Sequence, residues 1–377
     1  MKCAQAVVFV LLAFVANQQA PARQSSNDEK ESLETTLQKL AADAAKGYVA
    51  PVSSGFGSNL NAGWFHRAPW ATFLGFDLEF GLVAMGTFFS DEHKSFSTGG
   101  AFRFDSSQAA TLTEFIQNDP QYGFTQQQRD AIQREVIQKI RGQDFSVGIF
   151  GPTVIGKKQD SVRVQFNGAK FTVTDPNTNQ SREVTVPAER VALPVTGLLE
   201  DAPALPLASP QLTIGTILGS QFTFRYLPEV EIDPEIGKFK YFGFGVQHNP
   251  VVWFGEDALP LEISLGYFTQ RMSVGTLFEA NATAFGVNAS KRLGWGALNL
   301  TPYVGFMLER SSMTFTYDYE LDTPTGRIPQ KVTFELEGEN KSRITAGVSL
   351  KILLFNINAD YNWGTYKSVS AGVMIII

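Results

Sequence analysis

Histidine is the first place to look for acid–base or metal chemistry near neutral pH, and the chain has three: His66, His93 and His248. They are far apart in sequence and in no metal-ligand spacing, so neither a metal site nor a cofactor is expected. Cys3 is the single cysteine and precedes an apolar run of the kind removed on secretion. The mature chain should therefore carry no thiol nucleophile, disulfide or lipid anchor. No G-x-S-x-G element occurs. Pairing Ser220 or Ser264 with His248 across neighbouring strands is a geometric option, but nothing in the spacing singles it out. The glycine-rich run around Gly243 and Gly245 lacks the following helix that a phosphate-binding loop needs. No catalytic residue is assigned, and the chain reads as a non-enzyme.

The better candidates are polar residues that alternate with apolar ones: Asp77, Glu79, Gln221, Arg225, Glu262, Glu309, Arg343, Asn356, Asn358 and Asp360. Period-two alternation puts them on one face of their strands and the greasy residues on the other. Their mixed signs suit an interior network or a wet channel, and equally a plain polar filling. A net charge of −6 gives a nucleic-acid partner no electrostatic footprint.

What would position such residues is a long series of strands. Of 377 residues, 31 are Phe and 33 are Gly, a composition that suits strands in which bulky and small residues alternate. In "FLGFDLEFGLVAMGTFF", Leu74, Phe76, Leu78, Phe80 and Leu82 point one way, and Gly75, Asp77, Glu79 and Gly81 the other. A face carrying Asp and Glu is not a buried core. From Leu212 onward the pattern is almost continuous strand, with no helical segment to cover the apolar face. A soluble sandwich or lipocalin-like barrel would turn that face inward. Long alternating strands without covering helices instead fit an all-β, antiparallel transmembrane barrel, of about fourteen strands. Trp64, Tyr226, Trp253, Trp295 and Trp363 would sit in its interfacial girdles.

Three further segments complete the plan. Residues 1–22 read as a secretory signal peptide. Residues 23–56 hold an amphipathic helix with Leu33, Leu37 and Leu40 on one face, started by a Ser26–Glu29 capping box and stopped at Gly47. An isolated helix this short is marginal in water, so it is expected to act as a plug or to rest against the barrel from the periplasm. Residues 57–377 form the barrel, with insertions at 106–142 and 159–210. The first insertion is helical, with Ile132, Val136, Ile137 and Ile140 at helical spacing and Gly142 closing the run. The second carries an Asn167-Gly168 hairpin. In "SLKILLFN" the alternation changes phase at Ile352 and Leu353, where a tight turn is expected.

The runs "DAAKGYVAPVSSGFGSNLNAGWF", "GFDLEFGLVAMGTFF", "FGPTVIG", "FRYLPEVEI" and "FGFGVQHNPVVWF" carry a resemblance. They look like a family of uncharacterised outer-membrane β-barrel proteins of Gram-negative bacteria. A weaker similarity is to the long-chain fatty-acid transporter class, which likewise has an N-terminal segment inside a barrel. The chain ends "GVMIII", where many such barrels finish on an aromatic residue. The resemblance implies a bacterial outer-membrane location, with outer-membrane lipid and the barrel-assembly machinery as partners. The function expected is a passive channel or transporter for a small hydrophobic solute. The alternative is a structural or surface-interaction barrel without transport activity.

Overall fold

A computed structural model describes residues 33–377 apart from 73, 119–124, 175–180, 187, 201, 234–236, 256–258, 296 and 324–325. The signal peptide and the Ser26–Glu29 capping box lie outside the described residues, as do the side chains of Leu33 and Leu37. The chain forms two compact units: the described residues up to Val49 with Glu92–Glu200, and Ala50–Asp91 with Asp201–Ile377.

Helix α1 (Leu33–Asn61) does not stop at Gly47. A Cβ at Gly47 would stand 3.0 Å from the Phe96 ring, so this glycine permits close packing and is not a cap. Pro51 deprives the Gly47 carbonyl of its i+4 donor. The helix still continues for ten residues, and from Ser53 most of its side chains are buried in the second unit. Burial of a face, which sequence propensity does not register, sustains the helix past its breaker.

In the first unit, strands β2 (Ser95–Phe102), β3 (Phe145–Pro152), β4 (Arg163–Phe166) and β7 (Glu189–Ala192) make an antiparallel sheet. Strands β5 (Ala169–Thr174) and β6 (Ser181–Val186) pair separately. The expected hairpin at Asn167-Gly168 is therefore absent: β4 pairs with β3 and β7, not with β5. Neither Asn167 nor Gly168 has the positive φ that a two-residue turn demands, and the pair carries the chain from one sheet to the other. Helices α2 (Ser106–Leu112), α3 (Glu114–Asn118) and α4 (Gln126–Gly142) fill the expected helical insertion. Capping boxes at Asp105–Gln108 and Thr125–Gln128 start α2 and α4. Ile132, Val136 and Ile140 are the buried stripe of α4. Phe102, Phe104, Phe145 and Phe166 form an aromatic core, in which Phe104 meets Phe102 and Phe145 edge-on and Phe145 stacks on Phe166. Leu40 packs beside Gly100 of β2, within this unit, where a plug in the barrel or a rest against it from the periplasm was expected. Tyr48 donates to the Thr196 carbonyl at 2.9 Å, and burial pushes its hydroxyl up to about 12.

The second unit contains the barrel. Its strands are β1 (Leu74–Phe88), β8 (Ala204–Ile217), β9 (Ser220–Asp233), β10 (Gly237–His248), β11 (Glu262–Val274), β12 (Phe278–Ser290), β14 (Leu298–Thr323), β16 (Ser342–Ile352), β17 (Phe355–Trp363) and β18 (Ser368–Ile376). Each pairs antiparallel with the next, and β18 pairs back onto β1, so the ring closes at ten strands among the described residues. Strands β13 (Leu293–Trp295) and β15 (Gly326–Glu337) lie off the ring and pair only with β14. The expectation of about fourteen strands was too high for two reasons. Residues 298–308 and 313–321, which read from the sequence as two strands, are one 26-residue strand that continues past the ring into its hairpin with β15. The strands of residues 95–192 build the first unit's own sheets. Residues 204–210, read as insertion, already belong to β8.

Two tight turns set register on one rim. Leu218 and Gly219 take φ values of 52° and 66°, as a type I′ turn requires. Leu353, at φ 57°, opens the two-residue turn that joins Ile352 to Phe355, where the sequence changed phase. The alternation of residue type is also an alternation of exposure. Phe76 is 74% exposed and Phe80 57%, while Glu79 and Val83 are each 1%. Large apolar side chains thus clothe the outside of the ring, the reverse of a soluble sandwich.

Candidate functional site

The barrel is not empty. Residues 54–72, the end of α1 and the irregular run that follows, thread it from one rim to the other. At the first rim Thr87 Oγ1 lies within hydrogen-bonding distance of both the Gly55 carbonyl and Asn59 Oδ1, and Asn59 Nδ2 donates to the Leu205 carbonyl at 2.7 Å. Midway, Gln270 Nε2 donates to Asn61 Oδ1 at 2.6 Å. Beyond that, Ala68 N–H donates to Ser290 Oγ, and Asn249 Nδ2 donates to the Pro69 carbonyl at 2.8 Å. At the far rim the Gly219 N–H donates to the Thr72 carbonyl.

Two buried arginines of the wall hold this segment by its backbone. Arg225 Nη1 donates to the Ala62 carbonyl at 3.0 Å, Nη2 donates to Gly63 O, and Nε donates to Gln211 Oε1 at 2.9 Å. Its guanidinium lies 4.1 Å from the centre of the Trp64 ring, within cation–π range. Arg343 donates to the Ser58 carbonyl at 2.7 Å and is paired with Glu309 at 2.7 Å. A third cation belongs to the threaded segment itself: Arg67 pairs with Asp77 and Glu79 of β1, and His66 Nε2 lies 3.2 Å from Glu79 Oε2. Burying such charges is tolerable only because each is paired or hydrogen-bonded.

Aromatic rings fill the middle. Trp64 and Phe65 stack on Phe268, and Phe65 meets Tyr303 edge-on. Trp64, expected in an interfacial girdle, is 2% exposed inside the ring, whereas Tyr226, Trp253 and Trp363 are on the outside. The wall makes room for these rings with glycine. A Cβ at Gly243 would come 2.7 Å from Trp64, and one at Gly305 2.5 Å from Phe65. The alternation of Phe242 and Phe244 with Gly243 and Gly245 thus has one cause on each face: bulk outside, clearance inside.

All ten candidate residues are on the inner wall or its rim, in three groupings. Asp77, Glu79, Arg225, Glu309 and Arg343 reach the threaded segment or pair with a group that does. Asn356, Asn358 and Asp360 bond mainly along the wall, to Ser349, to one another and to Tyr303 and Asn362. Gln221 is buried beside Gly215, and half-buried Glu262 accepts from Asn249 Nδ2. Sequence reasoning missed Asn59, Asn61 and the run Trp64–Pro69. The signal available was "NAGWFHRAPW", where aromatic and basic residues crowd together with neither strand nor helix period.

The two serines weighed against His248 differ in geometry. Ser220 Oγ lies 3.0 Å from His248 Nδ1, whereas Ser264 bonds to Gln247 and Asn288 instead. The Trp253 indole N–H, a donor only, points at His248 Nε2 from 3.3 Å. No His/Cys/Asp/Glu cluster able to hold a metal occurs among the described residues.

Comparisons with solved structures return bacterial outer-membrane proteins at low similarity. The N-terminal β-barrel domain of OprF from Pseudomonas aeruginosa is 15% identical, with 42% of this chain and 94% of that one covered, at a TM-score of 0.18. A loop-deletion mutant of OmpT from Vibrio cholerae is 10% identical, with 80% and 99% covered, at 0.22. A bacterial polysaccharide outer membrane secretin is 7% identical, with 83% and 99% covered, also at 0.22. None of the curated proteins matches the chain. The similarity to the fatty-acid transporter class rests on the sequence reading alone. Over residues 1–377 the chain matches, and belongs to, the family of unknown function DUF6588.

Proposed function

We propose that this protein is a bacterial outer-membrane barrel, closed in its resting state, that anchors the unit inserted between β1 and β8. The observation that carries this reading is the threaded segment 54–72, fastened at both rims and packed in the middle by Trp64 and Phe65. A segment that crosses the lumen from rim to rim and packs aromatic rings against its wall obstructs passage of solute. The membrane location is supported by the outer face, where Phe76, Phe80, Phe242, Phe285 and Phe306 belong to an apolar surface far larger than soluble monomers expose. Lipid is its natural solvent, and closure leaves no unpaired strand edge in the hydrocarbon. Such a chain requires barrel-assembly machinery for insertion.

A second reading, gated passive passage of a small hydrophobic molecule, is favoured by the polar fastenings of the segment. Hydrogen bonds from Arg225 and Arg343 to backbone carbonyls can be exchanged for water if the segment moves. Reconstitution into planar bilayers separates the two. The anchor reading expects fractionation with outer membrane, heat-dependent gel migration and a silent bilayer. Steady conductance or solute uptake by the unaltered protein would replace it with the gated conduit, and recovery as a soluble periplasmic protein would defeat both.

A further inference from the structure

We propose that a pocket of about 250 Å³ at the rim carrying the Leu353 turn is a binding site for a phosphate group. It is lined by Arg67, Trp70, Arg292, Lys351, Asn299 and Ser349, all of the second unit. Two of its three cations, Arg67 and Arg292, lie against one aromatic ring. The guanidinium of Arg292 lies 4.2 Å from the centre of the Trp70 ring and that of Arg67 lies 5.2 Å from it, so one indole orients two positive groups. Arg67 spends Nε and Nη2 on Glu79 and Asp77, while its buried Nη1 has no protein partner. Asp77 also borders the pocket and, with Glu79, engages Arg67, so the lining itself carries three cations and one carboxylate, with Glu262 the further carboxylate that faces Arg292.

The neutral lining has a direction as well. Asn358 Nδ2 donates to Asn356 Oδ1, and Asn356 Nδ2 donates to Ser349 Oγ at 2.6 Å, leaving the Ser349 hydroxyl hydrogen as the donor at the end of the relay. Thr301 Oγ1 donates to Asn299 Oδ1, leaving the Asn299 amide hydrogens available. Arg292, Lys351, the unpartnered Nη1 of Arg67 and the spare donors of Ser349 and Asn299 thus belong to residues that line one pocket, the chemistry that recognises a phosphate oxygen set. The wall residues Asn356 and Asn358 gain a role in this arrangement: they polarise the serine that faces the ligand. The proposal holds whether the barrel is an anchor or a conduit, because it concerns the rim and not passage.

The phosphate can arrive free or on a lipid headgroup, and the two sources are distinguished by probe. Full-length protein in neutral detergent is titrated calorimetrically with inorganic phosphate, and separately with mixed micelles containing short-chain phosphatidic acid. The expected result is saturable binding of at least one probe, weakened about tenfold in Arg292→Gln and in Lys351→Gln and several-fold in Ser349→Ala, with heat-dependent migration unchanged. Binding of the micelles alone assigns a lipid headgroup, and binding of inorganic phosphate assigns the free ion. Absence of binding by both probes, or affinity unchanged in the folded Arg292→Gln/Lys351→Gln double variant, overturns the proposal.

Discussion

Replacing Arg225 by Met isolates the fastening of the threaded segment. The change keeps most of the side-chain volume and removes the hydrogen bonds to Ala62 O, Gly63 O and Gln211 Oε1, together with the cation–π contact to Trp64. Hydrogen bonds from a charged donor contribute about 1.5–3 kcal/mol each, and a desolvated cation–π contact about 2 kcal/mol. The sum is not the expected effect, because removing a buried cation also removes its desolvation penalty of several kcal/mol. A net loss of about 3 kcal/mol follows, mostly from two carbonyls left without donors. Of these groups only Gln211 joins strand to strand, from β8 to its partner Arg225 of β9, where the backbone ladder remains, so the loss should fall mainly on the segment and spare the barrel. A loss of about 3 kcal/mol raises the population of a displaced segment about a hundredfold. The assay places a thiol in the segment by Ala62→Cys, at a position 1% exposed, and probes it with a membrane-impermeant maleimide. Labelling should be absent in Ala62→Cys alone and rapid when Arg225→Met is added, with heat-dependent migration retained in both. If the doubly substituted barrel assembles and its thiol stays protected, the arginine does not hold the segment and the reasoning is wrong.

The glycine seat gives a complementary test: Gly243→Val should collide with Trp64 and expose the thiol of Ala62→Cys as Arg225→Met does, and a fully protected segment would mean that the Trp64 seat is dispensable. On the outer face, Phe285→Arg should cost roughly 2–4 kcal/mol in lipid if that residue lies near the bilayer midplane; urea unfolding in vesicles measures it, and a cost near zero would argue against lipid contact. Ser264→Arg should be as damaging, because Ser264 is fully buried between Gln247 and Asn288 and not in a wet lumen. In the first unit, Tyr48 has its hydroxyl pKa raised to about 12 against an unfolded value near 10. Its contribution is therefore complete below pH 10 and is lost as pH rises from about 10 to 12, and Tyr48→Phe should flatten that alkaline loss in thermal melts.

What the sequence determined is what repeats at short range. Period two fixed which residues of β1 and β10 face outward, because successive side chains of a strand alternate whatever the strand pairs with. The α4 stripe and its stop at Gly142 were likewise legible, since both depend on neighbours within a few residues. The polar positions were found by the same rule, but not their partners. Only the tertiary structure decided that the ring closes at ten strands, because closure depends on which distant edges meet and period two does not say where a strand leaves the ring, as β14 does. Only it decided that α1 runs through Gly47 and Pro51, and that Leu40 packs on the first unit's sheet, since burial by residues far along the chain outweighs a local breaker. The threaded segment was hidden for the same reason. Trp64, Phe65 and Arg67 have no period of their own, and their positions are set by clearance at Gly243 and Gly305 and by charge at Glu79, groups brought to them by closure of the barrel.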